Sequence, residues 1–155
     1  MKKEFERANS YPELFKLVKE MVKEQLGLHR VGLMLGLSDL GIQGNQVLGA
    51  FHPMGSNIIV INTTPLKRIE KELFKPYLTT VLLHEYLHSL GFEDEEEVQA
   101  LTYVILEKSL GENHIATKVA RKFNSVFHGL TPEPSQDKSI KLVEEFDSSN
   151  TSYIG

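Results

Sequence analysis

His84-Glu85-Tyr86-Leu87-His88 is the stretch whose residue types and spacing can do chemistry. On an α-helix, side chains four positions apart share one face, so both imidazoles can reach a single metal ion. Zinc is the natural occupant, since it accepts neutral imidazole and leaves a position for water. Glu85 follows His84 directly and is placed as a base beside that water, not as a ligand. The alternative is an accidental pattern on a structural helix. Against it stands the cost of burying a charged Glu among Leu, Val and Tyr. The implied chemistry is metal-assisted hydrolysis, with a peptide or unfolded protein as the expected substrate. In that scheme His84 and His88 hold Zn²⁺. Glu85 takes a proton from the zinc-bound water and delivers it to the leaving amine.

Open zinc sites usually have three protein ligands. From His84 the sequence runs H-E-x-x-H-x-x-G-x-x-D to Asp94, the metzincin layout with Asp in place of the last His. That layout also needs a methionine turn downstream, and Met1, Met21, Met34 and Met54 all lie upstream. The gluzincin layout instead takes a Glu from the following helix. Glu97-Val98-Gln99-Ala100 resembles such a segment, in which a small residue one turn on lets two helices approach. Glu97 is therefore the expected third ligand, with Asp94, Glu96 and Glu93 as alternatives. Asp94-x-x-Glu97 is equally a capping box, and acids at a helix start are favourable without any metal.

The elements that must position these residues follow from periodicity. Tyr77, Leu78, Val81, Leu82, Leu83, Leu87 and Leu90 have helical spacing around the motif, and Gly91 supplies a stop. Pro76 is expected to interrupt or restart that helix. Ser10-Tyr11-Pro12-Glu13 is a capping box opening an amphipathic helix with Leu14, Leu17, Val18, Met21 and Val22 on its stripe and Gly27 at its end. His29 to Leu37 reads as a buried strand, Asp39 to Ala50 as turns or a hairpin marked by Gly41, Gly44, Asn45 and Gly49, and Phe51 to Gly55 as a turn. Ser56 to Asn62 is the clearest strand, and Thr64 is the expected N-cap of the helix that follows. A helix over about Glu95 to Leu110 presents Val98, Leu101, Thr102, Ile105 and Leu106 inward. A last helix capped by Asn113 runs through Val119, Phe123, Val126 and Phe127 to near Gly129. Helix, strands, then helices make an α+β chain.

The chain has 155 residues, enough for one domain with a real core. A net charge of −4 argues against a general nucleic-acid binder. With no cysteine, any metal must be held by His and carboxylates. No apolar run is long enough for a membrane span, and no apolar core follows the basic residues near Met1. The simplest expected location is the cytoplasm.

On three stretches the chain resembles the minigluzincins, small archaeal proteins similar to the catalytic domains of membrane-embedded metallopeptidases. These are His84 to Gly91, Asp94 to Val98 close behind it, and the strand Ser56 to Asn62 upstream. The resemblance implies a zincin-like metallopeptidase fold, with a small twisted sheet beside an active-site helix and a glutamate helix. It also implies latency, in which a C-terminal segment occupies the cleft of a zymogen-like protein. The corresponding division here is a catalytic domain over 1–130 and a tail over 131–155. The tail has linker composition at Thr131 to Asp137, then an apolar segment from Ile140 to Asp147 that fits a short strand or a helical turn equally well.

Two roles stay open. An oxyanion needs a donor besides the metal, and His114, Tyr103, Tyr86 and Tyr77 are candidates, His114 being named as the possible stabiliser. His29, His52 and His128 read as ordinary strand, turn and helix-end residues. The strand Asn57 to Asn62 is a candidate for pairing with an extended substrate, or is a plain core strand. The competing function is a zinc-bearing module that binds peptides without cutting them. An intact Glu85 favours the enzyme, since a pure binder needs no base.

Overall fold

A computed structural model describes residues 1–43, 48–123 and 131–147. Its centre is α4, Lys71–Ser89, which is buried on nearly all sides from Pro76 to Leu87. An all-round apolar helix has to be enclosed by other elements. Pro76 does not break it, contrary to expectation. The residue sits near the helix start, and the carbonyl its missing N–H would serve belongs to exposed Glu72, where water can reach.

Four other helices pack around this one. α1, Lys2–Arg7, precedes α2, Tyr11–Leu26. Ser10 caps α2 by accepting the Glu13 N–H at 3.2 Å, and its own hydroxyl donates to the Glu13 carboxylate at 2.9 Å. The expected stripe from Leu14 to Val22 is buried. α5, Glu95–Leu110, runs between the expected bounds, with Val98, Thr102, Ile105 and Leu106 inward. α6, Ile115–Arg121, is shorter than expected, and its cap is His114 instead of Asn113: the imidazole Nδ1 accepts the Ala116 N–H at 3.0 Å. Val126, Phe127, His128 and Gly129 lie outside the described residues, as do Gly44 and Asn45.

The sheet has four strands in the order β2-β3-β1-β4. β1, Met34–Asp39, pairs in parallel with β3, Ile58–Asn62, and antiparallel with β4, Asp137–Leu142. β2, Ala50–Phe51, pairs antiparallel with β3 and forms the other edge. Leu35, Ile59 and Ile61 are fully buried and turn one face of the sheet to the helices, following the period of two. β3 has neighbours on both sides, so it has no edge left for a substrate strand. The expected strand at 29–37 begins later, at Met34. The N–H groups of Gly32 and Leu33 donate to the Asp147 carboxylate at 2.9 and 3.2 Å, not to a neighbouring strand.

Asn62 closes β3 and caps α3, Thr63–Leu66, in place of the expected Thr64. The Asn62 side chain is fully buried with all four of its hydrogen-bonding positions used. Its oxygen accepts from Leu40 and Thr64 N–H, and its nitrogen donates to the Gly41 and Leu48 carbonyls, at 2.8–3.1 Å. The Thr64 hydroxyl instead accepts the Gly41 N–H and donates to Asp39.

The tail segment from Ile140 to Asp147 is strand as far as Leu142 and a turn from Glu144 to Asp147. Beyond β4, Phe146 stacks on Phe15 with centroids 4.2 Å apart, and Asp147 forms a 2.6 Å ion pair with Lys19, both side chains almost fully enclosed. Residues 148–155 lie outside the described residues. Among the described residues no helix is long and apolar enough to cross a membrane.

Candidate metal centre

The last two turns of α4 deliver His84, Glu85 and His88 to one point, their ligand atoms all within 4.8 Å of one another. The imidazole rings stand edge to face with centroids 4.9 Å apart. His88 Nδ1 lies 2.7 Å from the Phe92 carbonyl. A carbonyl only accepts, so Nδ1 carries a hydrogen, and Nε2 is the ring atom turned toward the cluster. Metal-binding imidazoles are oriented by bonds of this kind.

The chain then turns sharply at Gly91, whose φ of 109° suits glycine, and Phe92 N–H returns to the Leu87 carbonyl at 3.3 Å. This brings the start of α5 back over the histidines. Glu95 spans them, with Oε2 3.0 Å from His84 Nε2 and Oε1 2.6 Å from His88 Nε2. Two imidazoles with carboxylates beside them are a donor set that could hold a metal ion.

Glu97, the residue expected in that place, is exposed and does not line the cleft. Asp94 is occupied as the α5 cap, accepting the Glu96 N–H at 3.3 Å. Glu93 lies on the cleft wall, and Glu96 is exposed. Glu95, not among the expected acids, is the one that meets both histidines, although a signal for it was present. Glu95 is three residues before Val98 and seven before Thr102, which aligns it with the buried face of α5, although at the helix start its own side chain stays 65 % exposed. Glu97 lies about 100° away from Val98 around the helix.

A cleft of about 490 Å³ opens over the cluster, with Leu48, Gly49 and Phe51 on the sheet side and Val81, Phe92 and Phe123 on the helix side. Burial pushes the Glu85 carboxyl up to about 7; His88 works against the rise and the Glu95 charge adds to it. A carboxyl poised near neutrality suits proton transfer in either direction. Burial holds His84 below the ordinary imidazole range, partly offset by the Glu95 carboxylate. A neutral imidazole is the form that ligates a metal.

The suggested oxyanion donors are dispersed. His114 caps α6 and packs edge-on against Phe5 at 4.8 Å, outside the cleft lining. The Tyr103 hydroxyl accepts from Arg121 at 3.2 Å, and the Tyr86 hydroxyl accepts the Arg30 N–H at 3.0 Å. Tyr77 is fully buried behind the cleft wall, its ring stacked on Phe123, and burial together with the Glu85 charge raises its hydroxyl pKa. His52, read from sequence as a turn residue, lines the cleft, with Nδ1 2.9 Å from the Ile58 carbonyl. None of the described tail residues lines the cleft; β4 is at the opposite edge of the sheet.

Comparison with family models, with curated proteins and with solved structures returns no match. The chain thus carries a His84-Glu85-x-x-His88 cluster able to hold a metal ion, in an α+β fold with a mixed four-stranded sheet.

Proposed function

We propose that this chain is a zinc-dependent metallopeptidase of gluzincin type, with His84, His88 and Glu95 as ligands and Glu85 as general base. The observation that carries the reading is the Glu95 carboxylate bridging the two Nε2 atoms beside the buried Glu85 carboxyl. Bound zinc would supply Lewis acidity, lowering the pKa of a water and polarising a carbonyl. The remaining work falls to the chain. Glu85 takes a proton from water entering the cleft and returns it to the departing amine, a role its place beside the two histidines supports.

An extended substrate lies along β2. Ala50 and Phe51 line the cleft, and the outer edge of β2 has no strand partner among the described residues. Strand addition there would supply backbone hydrogen bonds without sequence specificity. This takes over the role that the sequence suggested for 57–62.

The test is metal content by mass spectrometry of protein purified without a nickel column, paired with cleavage of an unstructured protein. Zinc near one per chain with cleavage abolished by Glu85→Gln supports the peptidase. Zinc retained with no cleavage by the wild type leaves the peptide-binding module. Absence of tight metal overturns both.

A further inference from the structure

Tyr77, Val81 and Glu85 follow one another at four-residue spacing on α4 and form a single stripe. Val81 and Glu85 line the cleft, and Tyr77 continues the stripe beneath the point where β2 begins. Gly49 sits directly on the Tyr77 hydroxyl. A Cβ at position 49 would collide with that oxygen, while the ring carbon behind it, Cζ, would lie at an ordinary 3.5 Å. The ring has nowhere to swing: Tyr77 is fully buried and stacked parallel to Phe123 at 5.6 Å. From the other side, β3 holds the same stretch in place. Asn62 N–H donates to the Gly49 carbonyl at 2.9 Å, and Asn62 Nδ2 donates to the Leu48 carbonyl at 2.8 Å.

We propose that Gly49 and Tyr77 act as a spacer that sets the gap between the edge strand β2 and the helix bearing Glu85, and hence the width available to an extended peptide. The inference rests on the peptide-binding reading of the cleft. Asn62 ties the entry of β2 to the sheet, and the Tyr77 hydroxyl stops it against the helix. A side chain at position 49 moves the strand and leaves the ligands alone, since His84, His88 and Glu95 are held within α4 and by the Gly91 turn. Gly49 and Tyr77 are positioning residues, acting on substrate through β2.

The test compares wild type, Gly49→Ala, Tyr77→Phe and the double variant. Two zinc-directed probes are used: acetohydroxamate, which needs only the metal, and a leucine-containing peptide hydroxamate, which must also fit the cleft. Gly49→Ala should keep zinc and acetohydroxamate binding and lose roughly tenfold in peptide-hydroxamate affinity, since sub-ångström misplacement disrupts aligned contacts. In the Tyr77→Phe background the clashing oxygen is gone, and adding Gly49→Ala should change affinity less than about twofold. Undiminished peptide-hydroxamate affinity in Gly49→Ala overturns the proposal, as does an equal loss with and without the Tyr77 hydroxyl. Crystal structures of the same variants read the separation of Ala50 from Val81 without any metal. A gap widened by Gly49→Ala and restored in the double variant supports the spacer even if zinc binding fails; an unchanged gap overturns it while leaving the zinc reading intact.

Discussion

Glu95 Oε1 lies 2.6 Å from His88 Nε2, although the two residues belong to different helices seven positions apart in sequence. The Gly91 turn makes this possible by folding the start of α5 back over the end of α4. The contact separates Glu95 from the other acids of the same run and yields the first prediction.

Glu95→Ala should lower zinc occupancy at a limiting metal concentration by at least tenfold, the order expected when an open site loses one of three ligands. Glu97→Ala should leave occupancy unchanged. Metal analysis of the two variants after dialysis against a weak chelator decides between them. The reverse pattern would return the ligand role to Glu97.

Glu85→Gln keeps the size of the side chain and removes its basicity. Zinc content and thermal stability should stay close to wild type, while cleavage of an unstructured protein falls by about 10²–10⁴-fold, the range for loss of a general base. A variant that still cleaves at half the wild-type rate would remove Glu85 from the proposed mechanism.

Asp147→Ala removes one partner of the enclosed Lys19 ammonium, which keeps its contact with the Phe15 ring, and strips an acceptor from the Gly32 and Leu33 N–H groups. The expected cost is about 3–5 kcal/mol of unfolding free energy, as for other broken buried pairs. Urea denaturation measures it. Ending the chain at residue 130 should cost more, because β4 and the Phe146 stack go as well. If the shortened chain instead kept its stability and cleaved faster, the tail would be a restraint on activity and not part of the core.

Asn62→Ala would remove the partner of two N–H groups and two carbonyls around a fully buried side chain, two of the four bonds being fully buried. Destabilisation of about 2–4 kcal/mol is expected, from the desolvation cost of unsatisfied groups. Asn62→Asp, which keeps the acceptor but not the donors, should lose the Leu48 and Gly41 contacts and recover little. Calorimetry of both variants checks this.

What the sequence made legible was the part governed by local rules. The Ser10–Glu13 box, the α2 stripe and the bounds of α5 depend on spacing within one element, and so does the sharing of one helix face by His84 and His88. The misses depended on partners distant in sequence. The contact of Glu95 with both histidines was hidden because a run of acids at a helix start satisfies the helix with or without a metal. The choice among them needed the angle of α5 over α4. His29 to Leu37 is apolar enough as a whole to read as a strand, but the N–H of Gly32 is claimed by Asp147. His52 reaches the cleft only because β2 pairs with β3. Ile140 to Leu142 could be assigned to a strand only once β1 was known to offer an edge.

The place of β4 also orders events during synthesis. β1 is flanked by β3 and β4, yet Ser38 and its hydrogen-bonding partner Lys138 are 100 residues apart. Domains begin to organise as they emerge from the ribosome, and contacts between distant positions form late. Both histidines and Glu95 leave the exit tunnel well before β4. The helices bearing His84, His88 and Glu95 are therefore synthesised while β1 still has an open side, and closure of the sheet by β4 is the late step.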